Sequence, residues 1–304
     1  MASAPPVVID HLTKRYGRLT AVDDLSLTVE AGEIFGFLGL NGAGKTTTIR
    51  VLLDLLHATA GRAYLFGLDC RAEGLAARAR LGYLPGENAF YDDMSGGAAL
   101  ELLGRLSGRA ADPAGRRRLL DRFELSARDL GRQLREYSTG MKRKLGLVQA
   151  FQHDPPLLIL DEPTEGLDPI MQESFYDLLE DTRRRGRTVF LSSHVLSEVE
   201  RVCDRIGLLR AGRLALVSTV AEVRQMAPRR VRVLFAADVP ADGLAWPPGC
   251  HVIETTPRAW TVTVAGPLGP LVQGLAGLPL KDLEVEAPHL EDVLVRYYRQ
   301  EAAP

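Results

Sequence analysis

Apolar residues in the first two thirds of the chain gather in short runs. Ile34 to Leu38 and Leu157 to Leu160 read as strands buried in a sheet. Val7 to Leu12, Arg62 to Phe66, Leu81 to Leu84, Thr188 to Ser192, Arg205 to Leu209 and Leu214 to Val217 read as further strands. Leu25 to Val29 alternates with period two, the mark of a half-buried strand. Thr13 to Gly17 is expected as a turn that carries Tyr16. Thr47 to Leu56, with Ile49, Leu52, Leu53 and Leu56 on one side, is predicted as a helix, and so is Met171 to Arg185. Ser95 to Gln133 shows no strand pattern. There Ala99, Leu102, Leu103 and Leu106, then Leu119, Leu120 and Phe123, fall at helical spacing, with Asp112 as an N-cap before Pro113. The fold class is therefore α/β with a helical subdomain inserted at about 92–150.

The pattern changes after Val220 to Met226, which reads as the start of a linker helix. Arg230 to Phe235 and Trp260 to Ala265 alternate as strands, broken by Pro247-Pro248-Gly249. Pro288 to Tyr298 is patterned as an amphipathic helix. Two domains are expected, 7–220 and a smaller α+β domain over 228–304.

Composition adds limits. The 304 residues are 46% hydrophobic and 25% charged, as in ordinary globular proteins. A net charge of −2 gives no global field for nucleic acid or an anionic membrane, so no nucleic-acid partner is expected. The arginine runs 116–118 and 183–185 are flanked by acids and read as solvated helix faces. Cys70, Cys203 and Cys250 are far apart and form neither a metal spacing nor a disulfide framework, which suits a reducing compartment. The N-terminus lacks signal-peptide character, and no apolar run approaches the roughly 18 residues of a membrane span. The expectation is a cytosolic chain, or one that reaches a membrane only through a partner.

Gly39 to Thr46 matches the phosphate-binding pattern G-x-x-x-x-G-K-[ST], between a buried strand and a helix. Gly39, Asn41, Gly42, Ala43, Gly44 and Thr47 would turn backbone amides toward phosphate oxygens at a helix N-terminus. Lys45 would bridge the outer phosphates, and the Thr46 hydroxyl would face Mg²⁺. Asp161 and Glu162 end the second buried run. Adjacent acids there are costly to dehydrate without a cation or water. Asp161 would orient Mg²⁺ through water, and Glu162 on the opposite side would polarise an attacking water. His194, at a strand end, is placed for a γ-phosphate contact or for a structural role. Ser138 reads as an N-cap; with the Gly140 N–H it either opens a phosphate-binding helix end or simply caps it. Tyr16, ahead of the loop, is a candidate platform for an adenine ring.

These pieces, in this order over residues 7–220, resemble the nucleotide-binding subunit of an ABC transporter. The resemblance makes Tyr16 the A-loop aromatic, Gly39 to Thr46 Walker A, and Tyr137 to Met141 the signature, with Ser138, Thr139 and Gly140 at its centre. It makes Leu157 to Glu162 Walker B, Gly166 to Asp168 the D-loop and His194 the switch histidine. Two positions depart from the family pattern. Gly86 stands where the Q-loop glutamine belongs, with Glu87 one residue off register, and Thr139 replaces a glycine. The resemblance implies an ABC-type P-loop ATPase core that binds ATP and Mg²⁺. It also implies pairing with a second such subunit, as homo- or heterodimer, so that Ser138, Thr139, Gly140 and Asp168 act across the interface. An integral-membrane permease would hold the chain peripherally at the cytoplasmic side of the membrane.

The segment after the cassette resembles the accessory domain of antibiotic-resistance-type ATP-binding proteins of ABC-2 exporters, chiefly in Leu290-Glu291-Asp292-Val293. That implies export of a drug-like or hydrophobic compound. Two alternatives stay open: a soluble ABC ATPase that remodels ribosomes or DNA, and a cassette that binds ATP without hydrolysing it.

Overall fold

The computed structural model describes residues 4–87, 90–108, 112–226, 228–240 and 246–286. The chain divides into two compact units, Met1–Ser218 and Thr219–Pro304.

In the first unit, β1 (Val7–Tyr16) and β2 (Leu19–Val29) form an antiparallel hairpin closed at Tyr16↔Leu19. The turn expected at 13–17 is therefore strand as far as Tyr16. Register shifts in the β1–β2 ladder break the alternation that would have betrayed it, and Gly17 turns the chain at φ +57°. β3 (Ile34–Leu38) is wholly buried and leads into α1 (Lys45–Leu52). α1 starts two residues before the expected helix and ends four before it, since the chain turns after Leu53 and Asp54 takes φ +55°. β4 (Ala60–Leu65) pairs with β1 and with β5 (Leu68–Asp69), completing a four-stranded antiparallel sheet.

After α2 (Gly74–Arg78) and β6 (Leu81–Leu84) come α3 (Gly96–Leu106), α4 (Pro113–Arg122), α5 (Ala127–Gly131) and α6 (Thr139–Phe151). The helical reading of this stretch holds, and Asp112 caps α4 by accepting from the Ala114 and Gly115 amides. Of the positions at helical spacing on α3, Ala99 alone is buried. Leu106 is 72% exposed and Leu102 is exposed, whereas Gly96, Ala99, Leu100 and Gly104 are buried. Small residues at 96 and 104 let α3 approach Tyr137 and Gln152 closely, with Leu100 buried on the same face.

β7 (Leu157–Asp161), α7 (Pro169–Arg184), β8 (Thr188–Ser193), α8 (Leu196–Val202), β9 (Arg205–Arg210) and β10 (Arg213–Thr219) complete the unit. The second sheet runs β10-β9-β3-β8-β7-β6, with β9, β3, β8, β7 and β6 parallel. Its central strands are buried along their whole length, which explains their continuous apolar runs. Phe190 packs between Phe35 and Phe37, at centroid distances of 5.9 and 5.3 Å. The carboxyl ends of β3, β6, β7 and β8 thus lie side by side, where a parallel sheet places its ligands.

The second unit holds α9 (Val220–Met226), β11 (Arg229–Phe235), β12 (Cys250–Thr256), β13 (Ala259–Val264), α10 (Gly269–Leu275) and β14 (Leu280–Val285). Its antiparallel sheet runs β12-β13-β11-β14. Val231, Val233, Phe235, Trp260 and Val262 form a core with Leu271 and Leu275 of α10. β12 gave no alternation because its ladder slips between Val252 and Glu254. The amphipathic helix expected at Pro288 to Tyr298 lies outside the described residues.

Candidate active site

The loop between β3 and α1 is shaped by glycines at two points. Gly44 is the N-cap of α1 at φ +108°, and a Cβ there would stand 2.4 Å from the Ala21 carbonyl oxygen. A Cβ on Gly39 would stand 2.7 Å from the Leu209 carbonyl oxygen. With no side-chain cap on α1, the first amides of that helix, Lys45, Thr46 and Thr47, are left to an anion. Asn41 and Gly42 are exposed, Ala43 is buried, and Thr46 and Thr47 are half-buried in the first turn.

Lys45 is 6% exposed and curls back over its own loop, its Nζ donating to the Gly39 carbonyl at 2.5 Å. The same Nζ stands 3.1 Å from Glu162 Oε1. Glu162 Oε2 lies 2.8 Å from His194 Nδ1. A lysine from the start of α1, a glutamate just past β7 and a histidine just past β8 therefore form one chain of contacts around a single carboxylate. The cleft beside it, about 250 Å³, is lined by Glu162, Glu165, Gly166, Gln172, His194 and Glu198.

Glu162 sits just past β7 in the left-handed region at φ +48°, which costs on the order of 1–3 kcal/mol for a residue with a side chain. Its N–H donates to Ser192 Oγ at 3.1 Å and to the Ser192 carbonyl at 3.3 Å, which holds the turn. The Ser192 hydroxyl in turn donates to Asp161 Oδ1 at 2.5 Å. Ser192 thus positions both acids, a role missed in the sequence, where it reads only as the end of a strand. Asp161 is 1% exposed, and its Oδ2 faces Gly86, where a Cβ would stand 3.4 Å away. Gly86 is thus beside the buried acid, while Glu87 is exposed.

The remaining expected site residues do not join this cluster within the chain. Tyr16 ends β1, 46% exposed, with Lys14 Nζ 5.1 Å from its ring centroid. Ser138 caps α6 by accepting from the Met141 N–H at 3.2 Å, as expected. Thr139 and Gly140 meet the Gly166 turn: a Cβ on Gly140 would stand 3.0 Å from the Gly166 carbonyl oxygen. Asp168 caps α7, accepting from the Met171 N–H at 3.0 Å.

The match to known proteins follows this geometry. Residues 22–165 match the ABC transporter family. The daunorubicin resistance ATP-binding protein DrrA3 of Streptomyces coeruleorubidus is 36% identical over 300 residues, which span 95% of this chain and 94% of that protein. The chain belongs to the ABC transporter family. This ABC ATPase is also 36% identical to the bacitracin transport ATP-binding protein BcrA of Enterococcus faecalis over 217 residues, 71% of this chain and 70% of that one. A solved ATP-binding subunit of an ABC transporter superposes with a TM-score of 0.67 at 30% identity, covering 72% of this chain and 92% of its own. The cassette's oxygen donors, the Asp161 carboxylate and the Thr46 hydroxyl, suit a hard divalent cation such as Mg²⁺.

Proposed function

We propose that this ABC ATPase hydrolyses ATP with Glu162 as the base that polarises water, and so energises a separate permease that exports a drug-like or hydrophobic compound. The observation that carries the reading is the placement of Glu162, in contact with Lys45 and His194 at the mouth of the phosphate loop. The α1 amides and Lys45 bind the phosphates, and Tyr16 supplies a face for the adenine. Glu162 takes up a proton from water, and His194 orients the carboxylate and meets the γ-phosphate. Mg²⁺, held by Thr46 and through water by Asp161, would neutralise phosphate charge.

Ser138, Thr139 and Gly140 stand at an exposed helix start against their own Gly166 turn. This supports a site completed by a second subunit, homo- or heterodimeric, with Asp168 beside the shared face. Residues 7–220 are the cassette and 228–304 an accessory domain. No helix among the described residues is long and apolar enough to cross a membrane. The permease is a separate membrane-spanning partner, which holds the chain at the cytoplasmic face. The names of DrrA3 and BcrA support an antibiotic-like cargo.

Affinity purification of the full chain from membranes tests this. The expected result is a co-purifying multi-span protein that raises phosphate release. A chain that binds ATP without turnover, or leaves membranes alone, would overturn the reading.

A further inference from the structure

Arg143, in the second turn of α6, is a charged side chain buried beside the site acids. It is 3% exposed. Its guanidinium is spent on three main-chain carbonyls from two different loops. Nε donates to Glu165 O at 3.0 Å, Nη1 to Pro85 O at 2.8 Å and Nη2 to Gly86 O at 2.6 Å. Among the described residues the nearest carboxylate oxygen is Glu165 Oε2, 4.0 Å from Nη2 and on a 68% exposed side chain. Burial lowers its pKa from the ordinary guanidinium value, against the raising pull of Glu165, Asp161 and Glu162.

Each carbonyl leads to an acid. Gly86 lies against Asp161 Oδ2. The Glu165 N–H donates to the Glu162 carbonyl at 3.2 Å, closing the turn that sets Glu162. β6 and β7, which deliver the two loops, are paired parallel up to Leu84↔Leu160. One turn earlier on α6, Gly140 presses on Gly166. The start of α6 therefore touches both loops, and Arg143 is the bond that joins them.

We propose that Arg143 is a positioning residue for ATP hydrolysis, which holds the Gly86 main chain and the Glu162–Glu165 turn in register with the start of α6. At a position with no side chain of its own, Gly86 is coupled to α6 through its carbonyl. The planar fork is required, because a lysine ammonium on a flexible stem cannot hold three carbonyls set around one plane. The role rests on the chain acting as an ATPase.

The test is steady-state phosphate release against ATP concentration, with thermal melting, for the full wild-type chain, Arg143→Lys and Arg143→Gln. The expected result is folded variants whose kcat falls at least tenfold while KM for ATP stays within threefold, with Lys giving no rescue. A wild-type kcat in either folded variant would overturn the role, as would full rescue by Lys. Failure of both variants to fold would overturn it too, by making Arg143 a structural clip. A wild-type chain without turnover would instead defeat the ATPase reading itself.

Discussion

Lys45 and Glu162 face each other at 3.1 Å, Nζ to Oε1, with side chains 6% and 16% exposed. Under the proposed function, a phosphate arriving at the loop would compete with Glu162 for the Lys45 ammonium, and its binding would free the carboxylate for water.

Glu162→Gln removes that competition along with the base. Turnover should fall by about 100-fold or more, the usual contribution of a general base. ATP affinity should rise by about two- to tenfold, equivalent to at most about 1.4 kcal/mol. Phosphate release and equilibrium nucleotide binding, measured on one preparation, check both halves. Unchanged turnover would remove Glu162 from the chemistry.

Lys45→Ala acts in the opposite direction. It leaves the Gly39 carbonyl without a donor and Glu162 without its cation. ATP affinity should fall at least about tenfold, since hydrogen bonds to charged groups contribute about 1.5–3 kcal/mol. Calorimetric titration with ATP is the measurement, and wild-type affinity would refute the assignment.

Gly86 is not demanded by its backbone. It lies outside the positive-φ positions, and a Cβ would meet Asp161 Oδ2 at 3.4 Å, an ordinary contact. Gly86→Gln should therefore change stability by less than about 1 kcal/mol. Placing an amide beside Asp161 should raise turnover. Glu87→Ala, at the exposed neighbour, is the comparison and should move turnover less. Denaturant melts and turnover of the two variants decide.

Gly140→Ala should destabilise the fold by about 1–3 kcal/mol, because the new methyl would stand 3.0 Å from the Gly166 carbonyl and neither backbone can yield freely. A denaturant midpoint unchanged from wild type would show that α6 and the Gly166 turn yield to the methyl without cost.

The cysteines offer a test of burial. Burial pushes the Cys70 thiol up to about 12 and raises Cys203 well above its ordinary value. Cys250 is raised less and is only half-buried. Alkylation of the native chain near pH 8, followed by mass spectrometry, should label Cys250 first, because thiolate and access both set the rate.

The sequence alone determined the phosphate loop, the buried strands that flank it, the paired acids and the helical insertion. Each is local: a glycine pattern, an unbroken apolar run or a capping residue acts over a few neighbouring positions. Tertiary structure decided what lies far apart in sequence. Pairing with β2 carried β1 on to Tyr16, and packing turned the Gly96, Ala99, Leu100 and Gly104 face of α3 inward. Ser192 was legible only as strand, yet it bonds Asp161, 31 positions away. Arg143 reads as one member of a basic run, yet it clamps carbonyls 58 and 22 positions away. A carbonyl's demand for a donor leaves no mark on residue type, so only the folded chain shows which side chain meets it.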